Sequence, residues 1–434
     1  MSVPTRMQTV DNTDFELVPA MESPGLPDWP GARWIGSVDV GILSQHPRLK
    51  LLHSSGYECA RLLIRDGAAV RGFVDIAAPG GEIDCSVLAA EVEALPNVQP
   101  TSSSASTPFI TVIVCTRDRA SQLRTSLSAI LRLDYPNFQV LVVDNAARTT
   151  ETRDIVRDEF RDPRVRLVAE KIPGLAQARN TGLHHAHGDI VAFTDDDTVV
   201  DQGWLAGIVE GFQRVPNVAC VSGLVPAGEL RTRTQAYFEE RVSWSKNIQP
   251  RVFSLSEPPA DLPLFPFTSG AFSTGANFAL DRRTALSIGA FDTAFGAGTR
   301  TGGAEDIDMF TRLLLKGHTL VVEPKAIVWH RHRDDVDALR DQARAYGIAL
   351  GAWITKLVTD SGTAPLVLAR SSLAMRRLWS LAQRAEGTSA CAATKSLDEW
   401  DNMIVRTGRL ELLSVARGPF NYLLQRLLRA KVVE

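Results

Sequence analysis

The sequence predicts an α/β fold, in which a Rossmann-like, mostly parallel sheet is flanked by helices. Two observations lead to this prediction. After residue 108, short apolar runs of strand length alternate with amphipathic segments of helix length. Polar or acidic side chains follow directly on these runs, at the strand ends where open α/β sheets bind ligands. The 434 residues and the 44% hydrophobic content allow a sizeable core and more than one domain.

Shifts in composition divide the chain into four segments. Residues 94–108 are rich in Ser, Thr and Pro, so they bury little apolar surface and are predicted to form a linker. Residues 1–93 are predicted to form a small β-containing accessory module. We expect the main α/β domain at residues 109–333 and a helical region at residues 334–434.

The N-terminal module contains one recognisable pattern. Residues 60–76 form two β-prone runs that meet at Asp66-Gly67, which predicts a hairpin. No cluster of His, Cys or acidic residues accompanies the hairpin, so a packing or partner-docking module is favoured over a chemical site.

Four apolar runs of the main domain predict buried strands. They are FITVIVC (109–115), FQVLVVD (138–144), VRLVAE (165–170) and the start of IVAFTDDD (190–197). Helices are predicted between them, the first of which ends at Leu131. Strands that alternate with helices in this way indicate a parallel sheet with right-handed crossovers.

The last of these runs ends on three consecutive carboxylates, Asp195, Asp196 and Asp197. Each would be ionised at neutral pH, and the three charges repel one another unless a cation or a hydrogen-bonded sugar offsets them. Asp201 is better placed to begin the next helix, so the triplet is predicted to lie on a loop between strand and helix. A ligand site explains this crowding better than a solvated turn.

The C-terminal region is predicted to be largely helical from Asp334 onward. Basic residues cluster there: Arg370, Arg376, Arg377, Arg384, Arg417, Arg426, Arg429 and Lys431. A solvated helix face is the ordinary explanation, and peripheral contact with an anionic membrane is the alternative.

Composition excludes several classes of protein. A net charge of −3 indicates no general affinity for nucleic acid. The five cysteines show no CxxC spacing, and we expect a reducing, cytoplasmic compartment. The N-terminal residues lack the apolar segment of a secretory signal, and no run approaches the roughly 18 apolar residues of a membrane span. We therefore expect a cytoplasmic protein, with peripheral association at the inner face of the membrane as the alternative.

Eight motifs between residues 109 and 333 occur in an order that resembles family 2 glycosyltransferases of the GT-A fold. They are VIVCTRDR, LVVDNA, PGLAQARNTG, FTDDD, STGANFALDRR, IGAFD, GGAEDIDMFTRLLLKG and VWHRH. The resemblance implies a GT-A type catalytic domain. It also implies inverting transfer of a sugar from a nucleotide-diphosphate sugar, with UDP as the expected nucleotide, to an acceptor hydroxyl.

The resemblance also implies which residues bind the donor. Thr116, Arg117, Asp144, Arg179 and Asn180 would hold the nucleoside, and Asp195 would take ribose or nucleotide hydroxyls. Asp196 is grouped with the donor residues, although the middle side chain of such a motif can point away. Gly275 and Asn277 would line the donor-sugar or acceptor pocket, and a buried structural amide is the alternative for Asn277.

A divalent cation and a general base complete the implied site. Asp197, Asp195 and His330 would hold Mn²⁺ or Mg²⁺, with His332 as the alternative to His330; imidazole suits Mn²⁺ better. Asp306 would be the general base, and Glu305 would orient the acceptor or share the role. Both acids are predicted in the first turn of a helix, where acids also complement the helix dipole.

Two rival functions are considered. A nucleotidylyltransferase needs a Gly-rich phosphate loop after the first strand, where this chain has Cys-Thr-Arg-Asp-Arg. A catalytically silent sugar-nucleotide binding or scaffold protein would have lost the acidic motifs, and both are present. The expected partners are a nucleotide-sugar donor and a glycan, lipid-linked or small-molecule acceptor.

Overall fold

A computed structural model describes residues 14–98, 106–268, 270–272, 274–370 and 399–433, with side chains up to residue 429 in the last range. The chain divides into two compact units. One comprises Met1–Ser103 with Ala227–Glu240, and the other comprises Ser104–Pro226 with Arg241–Glu434.

The smaller unit contains two three-stranded sheets in its described residues. The first has the order β1-β3-β6, with β1 Phe15–Leu17, β3 Arg48–Leu51 and β6 Glu82–Asp84. The second has the order β2-β4-β5, with β2 Trp34–Asp39, β4 Cys59–Asp66 and β5 Ala69–Ala77. Its helices are α1 Val40–Leu43, α2 Cys85–Glu93 and α7 Arg233–Arg241.

The predicted hairpin is confirmed, because β4 and β5 pair antiparallel with Asp66 opposite Ala69. Gly67 has a φ of +57°, a backbone conformation that glycine adopts readily in such a turn. Residues 227–240 join this unit through the pairing of Arg33 with Leu230. A sheet core around Trp34, Leu49 and Leu62 is buried.

The larger unit is built on one sheet of nine described strands. These are β7 Ile110–Thr116, β8 Phe138–Asn145, β9 Val165–Glu170, β10 Ile190–Asp195, β11 Thr198–Val200, β12 Val218–Leu224, β13 Arg251–Phe253, β14 Asn277–Asp281 and β15 Thr319–His330. The order is β11-β15-β12-β14-β10-β7-β8-β9, and β13 pairs with β15.

Helices flank this sheet and form the C-terminal region. They are α3 Ala120–Leu131, α4 Glu151–Asp158, α5 Leu175–His185, α6 Trp204–Gln213, α8 Arg282–Ser287, α9 Glu305–Leu315, α10 Val336–Thr359, α11 Glu399–Val415 and α12 Gly418–Val433. Side chains of Ile113 and Val112 enter the cores on opposite faces of the sheet, as expected of a strand buried on both sides.

The four predicted strands are confirmed, and β10, β7, β8 and β9 run parallel in that order. Their carboxyl ends align: Thr116 pairs in register with Asp144, and Asp195 with Cys115. Between β10 and β12, β14 runs antiparallel to both, so the sheet is mixed on that side.

The prediction that the Asp triplet lies on a loop between a strand and a helix is wrong, because a second strand follows the triplet. The segment after Asp197 is β11, which pairs antiparallel with the end of β15, with Thr198 opposite His330. Thr198, Val199 and Val200 are β-branched, which favours this extended conformation. Helix α6 begins only after it.

The C-terminal region is helical in its described residues, as predicted. Helices α10 and α11 pack closely, since a Cβ on Gly347 would lie 2.1 Å from the Glu411 carbonyl oxygen. Lys356 of α10 forms ion pairs with Asp308 of α9 and with Asp292. Arg376, Arg377 and Arg384 of the predicted basic cluster lie outside the described residues. Within the described part of the chain, none of the helices has the length and apolar content of a membrane span.

Candidate active site

Two carboxylates and an imidazole converge where β10 and β15 end. Asp195 is the last residue of β10, Asp197 follows in the turn, and His330 is the last residue of β15. The pairing of β11 with β15 places His330 beside the turn. One ligand atom from each residue lies within 4.8 Å of the others, and His330 Nε2 is 3.6 Å from Asp197 Oδ1. Such a set of hard oxygens with one imidazole suits Mn²⁺ or Mg²⁺.

His332 lies outside this set of three. Its side chain is buried, and its Nδ1 is 3.3 Å from Nδ1 of His330. A contact to the other ring nitrogen of a metal-ligating histidine fixes the orientation of that ring. The geometry therefore favours His330 as the ligand and His332 as its support.

Asp196 points away from the other two acids of the triplet, into the interior. Its carboxylate accepts hydrogen bonds from Thr116 Oγ1 at 2.6 Å and from Arg119 Nη1 at 3.1 Å. Both Asp196 and Thr116 are buried. The donor contacts predicted for these two residues do not fit this arrangement, because their polar atoms are directed at each other and hold the turn.

Arg119 was missed in the sequence, although it belongs to the motif VIVCTRDR. Its Nη1 also lies 3.3 Å from Asp197 Oδ2, so one guanidinium bridges two acids of the triplet. This cation offsets part of the crowded charge. Because its side chain is 41% exposed, it neutralises the triplet less than a buried cation would.

A second pair of acids begins α9, as predicted. Glu305 is buried, whereas Asp306 is half-buried and its Oδ1 accepts a hydrogen bond from the Ile307 N–H at 2.8 Å. Asp306 Oδ2 makes no hydrogen bond to any described residue. Ala304, directly before the helix, has a φ of +73°, a left-handed conformation that turns the chain into α9.

Arg179 of α5 lies between the two groups of acids. Its Nη1 donates to Glu305 Oε1 at 2.9 Å, and its Nη2 donates to the Gly275 carbonyl at 2.9 Å and lies 3.6 Å from Asp195 Oδ1. The side chain is buried, and its described partners are these acids and the carbonyl; the nucleoside contact stays a prediction. Gly275 leaves room for these side chains, because a Cβ at this position would lie 3.0 Å from Arg179 Nη2 and 3.1 Å from Asp306 Oδ2.

Burial changes the acidity of two of these groups. Desolvation raises the pKa of Asp195 to about 7, against the opposing charge of Arg179 and with the repulsion of Asp197. Desolvation also raises the pKa of Glu305 to about 7, again against Arg179. Glu305 Oε2 has no hydrogen-bond partner among the described residues. Both carboxyls therefore exchange protons near neutral pH.

Asp144 ends β8 beside Thr116 and presents a buried oxygen without a partner. Its Oδ1 makes no hydrogen bond, and burial, followed by the nearby charge of Asp118, raises its pKa. Arg117 is half-buried and makes no ion pair with a described residue. Arg117 does not pair with the neighbouring Asp118, whose Oδ1 accepts hydrogen bonds from the backbone N–H groups of Arg148 and Thr149.

The two predicted asparagines are structural. Asn180 donates to the Phe291 carbonyl and accepts from the Phe291 N–H, both at 2.8 Å. Asn277 is fully buried: its Nδ2 donates to the carbonyls of Leu224 and Ala326, and its Oδ1 accepts from Trp204 Nε1. Amides whose groups are used in this way hold strands and loops together. Both amides therefore have a packing role, and the donor contacts expected of them stay predictions.

Comparisons with known proteins find similarity to glycosyltransferases. Residues 111–284 match the sequence model of Glycosyl transferase family 2. Pre-mycofactocin glycosyltransferase of Mycobacterium tuberculosis is 27% identical over 264 residues, 61% of this chain and 51% of that protein. Succinoglycan biosynthesis protein ExoM of Rhizobium meliloti is 26% identical over 298 residues, 67% of this chain and 85% of that protein.

Among solved structures, a mannosyltransferase from Pyrobaculum calidifontis in complex with GDP-Man and Mn²⁺ has a TM-score of 0.49 at 22% identity. That comparison covers 74% of this chain and 90% of the other. The chain spans about half the length of the mycobacterial relative that it matches.

Proposed function

We propose that the chain is a family 2 glycosyltransferase and that it transfers a sugar from a nucleotide-diphosphate sugar to an acceptor hydroxyl. One observation supports this most directly. The acids that end β10 and the acids that begin α9 meet around one buried arginine, Arg179. One group is suited to a leaving diphosphate and the other to an attacking hydroxyl.

The nucleoside is proposed to lie at the ends of β7 and β8. Asp144 offers a buried oxygen that lacks a partner, and a base imide or a ribose hydroxyl would satisfy it. Arg117, at the end of β7, supplies a guanidinium with no ion pair to a described residue. UDP is the nucleotide that we propose, since a uracil imide matches a single carboxylate acceptor.

Asp195, Asp197 and His330 are proposed to hold Mn²⁺ or Mg²⁺. When bound, the cation would neutralise charge on the departing diphosphate. Arg179 keeps Asp195 in position through the 3.6 Å contact, and Arg119 does the same for Asp197. These two arginines therefore fix the directions of the carboxylates before any ligand arrives.

Asp306 is proposed as the general base of an inverting transfer. One of its oxygens is held by the Ile307 N–H, which leaves Oδ2 to take the proton of the acceptor hydroxyl. The hydroxyl oxygen would then attack the anomeric carbon on the face opposite the leaving group. Glu305 is too buried to meet an acceptor directly, so we assign it the role of holding Arg179.

The acceptor is proposed to be a glycan or a lipid-linked sugar, with a small molecule as the alternative. The relative from Rhizobium meliloti carries the name of a polysaccharide biosynthesis protein, which favours the first class. Peripheral contact with a membrane belongs to the same proposal, because the C-terminal helices expose both apolar and basic side chains.

The test compares Asp306→Asn with Asp158→Asn, a control at an exposed carboxylate of α4. Binding of UDP-glucose, UDP-N-acetylglucosamine and GDP-mannose is measured by calorimetry with Mn²⁺, and release of nucleotide diphosphate is measured as turnover. Asp306→Asn should bind donor like the unmodified protein and lose about 10²–10⁴-fold in turnover. Normal turnover in Asp306→Asn would remove the assignment of the base. Binding without turnover in the unmodified protein would instead support the catalytically silent alternative.

A further inference from the structure

Helices α11 and α12, which both pack on α10, expose an unusual amount of apolar surface. Five of their side chains are between 54% and 72% exposed. They are Leu412, Leu413, Phe420, Leu423 and Leu427, which we call the hairpin face. Single exposed leucines are common, but contiguous apolar patches mark interaction surfaces.

Helix α12 has apolar side chains on two faces. Phe420, Leu423 and Leu427 follow a helical spacing on the exposed side. On the inner side, the buried Tyr422 stacks on Phe295 with ring centroids 5.5 Å apart. Packing within the domain therefore explains the inner face and leaves the outer one unexplained.

The charges around the hairpin face are strongly asymmetric. Residues 402–429, which carry the hairpin face, include five arginines and a single acid, Glu411, whereas two further acids, Glu399 and Asp401, lie in the first turn of α11. That acid is already ion-paired with Arg241. Of the arginines, Arg406, Arg409, Arg417 and Arg426 are exposed. An apolar face bordered by exposed arginines is complementary to a surface that has an apolar interior and an anionic outer layer.

We propose that the hairpin face docks on an anionic lipid bilayer. Phe420, Leu423 and Leu427 would enter the boundary between headgroups and acyl chains, while the arginines contact anionic headgroups. A second copy of this chain is a poorer occupant. Across a two-fold axis the same surface meets itself, so the arginines beside the hairpin face would lie close to like charges.

Docking would place the proposed transfer reaction next to the bilayer. Gln425 Oε1 accepts a hydrogen bond from the Arg300 N–H at 3.2 Å, on the segment that leads into α9. Arg429 donates to the Pro173 carbonyl at 2.8 Å, on the segment that leads into α5. About one helix diameter, roughly 10 Å, therefore separates the hairpin face from the segments that lead into α9 and α5. The docking specifies the peripheral membrane contact of the proposed function, and only its placement beside the site rests on the proposed glycosyl transfer.

The experiment is vesicle flotation of the full chain without nucleotide sugar. Vesicles contain phosphatidylcholine alone or with about 30% phosphatidylglycerol, at about 50 mM and about 500 mM NaCl. The apolar variant is Phe420→Ser/Leu423→Gln/Leu427→Gln and the charge variant is Arg409→Gln/Arg417→Gln. Leu26→Gln, at a side chain 69% exposed in the smaller unit, is the matched control.

The unmodified protein and Leu26→Gln should float with anionic vesicles at low salt, and far less with neutral vesicles or at high salt. Each arginine near an anionic leaflet strengthens partitioning about fivefold, so the charge variant should bind about 25-fold more weakly. The apolar variant should lose about tenfold or more for each side chain. Its melting temperature should match that of Leu26→Gln, since the replaced side chains are exposed.

Three results would overturn the proposal. The first is an unmodified protein that ignores anionic vesicles at low salt. The second is an apolar variant that melts well below Leu26→Gln, because the face would then be covered within the folded chain. The third is a dimer that the apolar variant converts to a monomer, which would assign the face to a second copy. None of these results depends on glycosyl transfer. The membrane-docking proposal can therefore fail while the glycosyltransferase proposal stands, and the reverse.

Discussion

Replacing Arg179 by methionine removes the cation that lies between the two groups of acids. Methionine has a similar length, so little volume is lost, but Glu305 then keeps a buried carboxyl without its charge partner. Arg179 is 2% exposed and Glu305 is 5% exposed, so water does not substitute for the lost guanidinium. Breaking a buried ion pair by removing one partner destabilises a protein by about 3–5 kcal/mol.

The assay is urea unfolding, with thermal melting as a second measurement. A loss of about 3–5 kcal/mol should lower the melting temperature of a domain of this size by roughly 6–20 °C. The double variant Arg179→Met/Glu305→Gln should be less destabilised than the sum of the two single variants, because the uncompensated carboxyl is gone. Arg124→Met, which removes an arginine paired with Glu159 on the surface, should leave stability nearly unchanged.

The destabilisation caused by Arg179→Met should depend on pH. Glu305 has a pKa of about 7 in the folded protein, above its usual value of 4.5, so the folded state holds the proton more tightly than the unfolded state. The resulting stabilisation is fully present below about pH 4.5 and is lost as the pH rises through about 7. Arg179→Met should raise the pKa of Glu305 further, so its destabilisation should grow above pH 7. A loss below about 1 kcal/mol at pH 8, or strict additivity in the double variant, would refute the reasoning.

Two further predictions concern the metal and the C-terminal helices. Because burial raises the pKa of Asp195 to about 7, Mn²⁺ binding measured by calorimetry should weaken about tenfold from about pH 8 to about pH 6; equal affinity at both would contradict its role as a ligand. Lys356 Nζ lies 2.9 Å from Asp292 Oδ2 and 2.5 Å from Asp308 Oδ1. Lys356→Met should therefore destabilise the protein by about 1–3 kcal/mol in urea unfolding and lower turnover, with Lys356→Arg as the control that preserves the charge; unchanged stability would show that α10 does not position α9.

Local patterns were sufficient to predict the parallel half of the sheet. The strands β7, β8 and β10 are short, apolar and bounded by polar residues, and their carboxyl ends meet at one edge in any parallel arrangement. That rule alone brings Thr116, Asp144 and Asp195 together. It required no knowledge of the strands that come later in the chain.

The roles of individual polar side chains depended on partners distant in sequence. The amide of Asn277 is used by Leu224, Ala326 and Trp204, which the antiparallel insertion of β14 brings around it. No local pattern specifies that insertion. Asp196 likewise turned inward because β11 pairs with β15 and fixes the turn between β10 and β11.

Among the described residues, the acids of the site outnumber the arginines that contact them. Arg119 and Arg179 face the carboxyls of Asp195, Asp196, Asp197, Glu305 and Asp306, and the protein meets the excess partly by raising pKa values. A group that is protonated near neutral pH ionises readily when a cation arrives, since the charge partner replaces the proton. Asp195 is at once a candidate ligand and a neighbour of Arg179, which also holds Glu305. A change of charge at Asp195 therefore alters the electrostatic interactions of Arg179 and, through it, those of Glu305 in the helix that carries Asp306. The donor side and the acceptor side of the proposed reaction are coupled in this way.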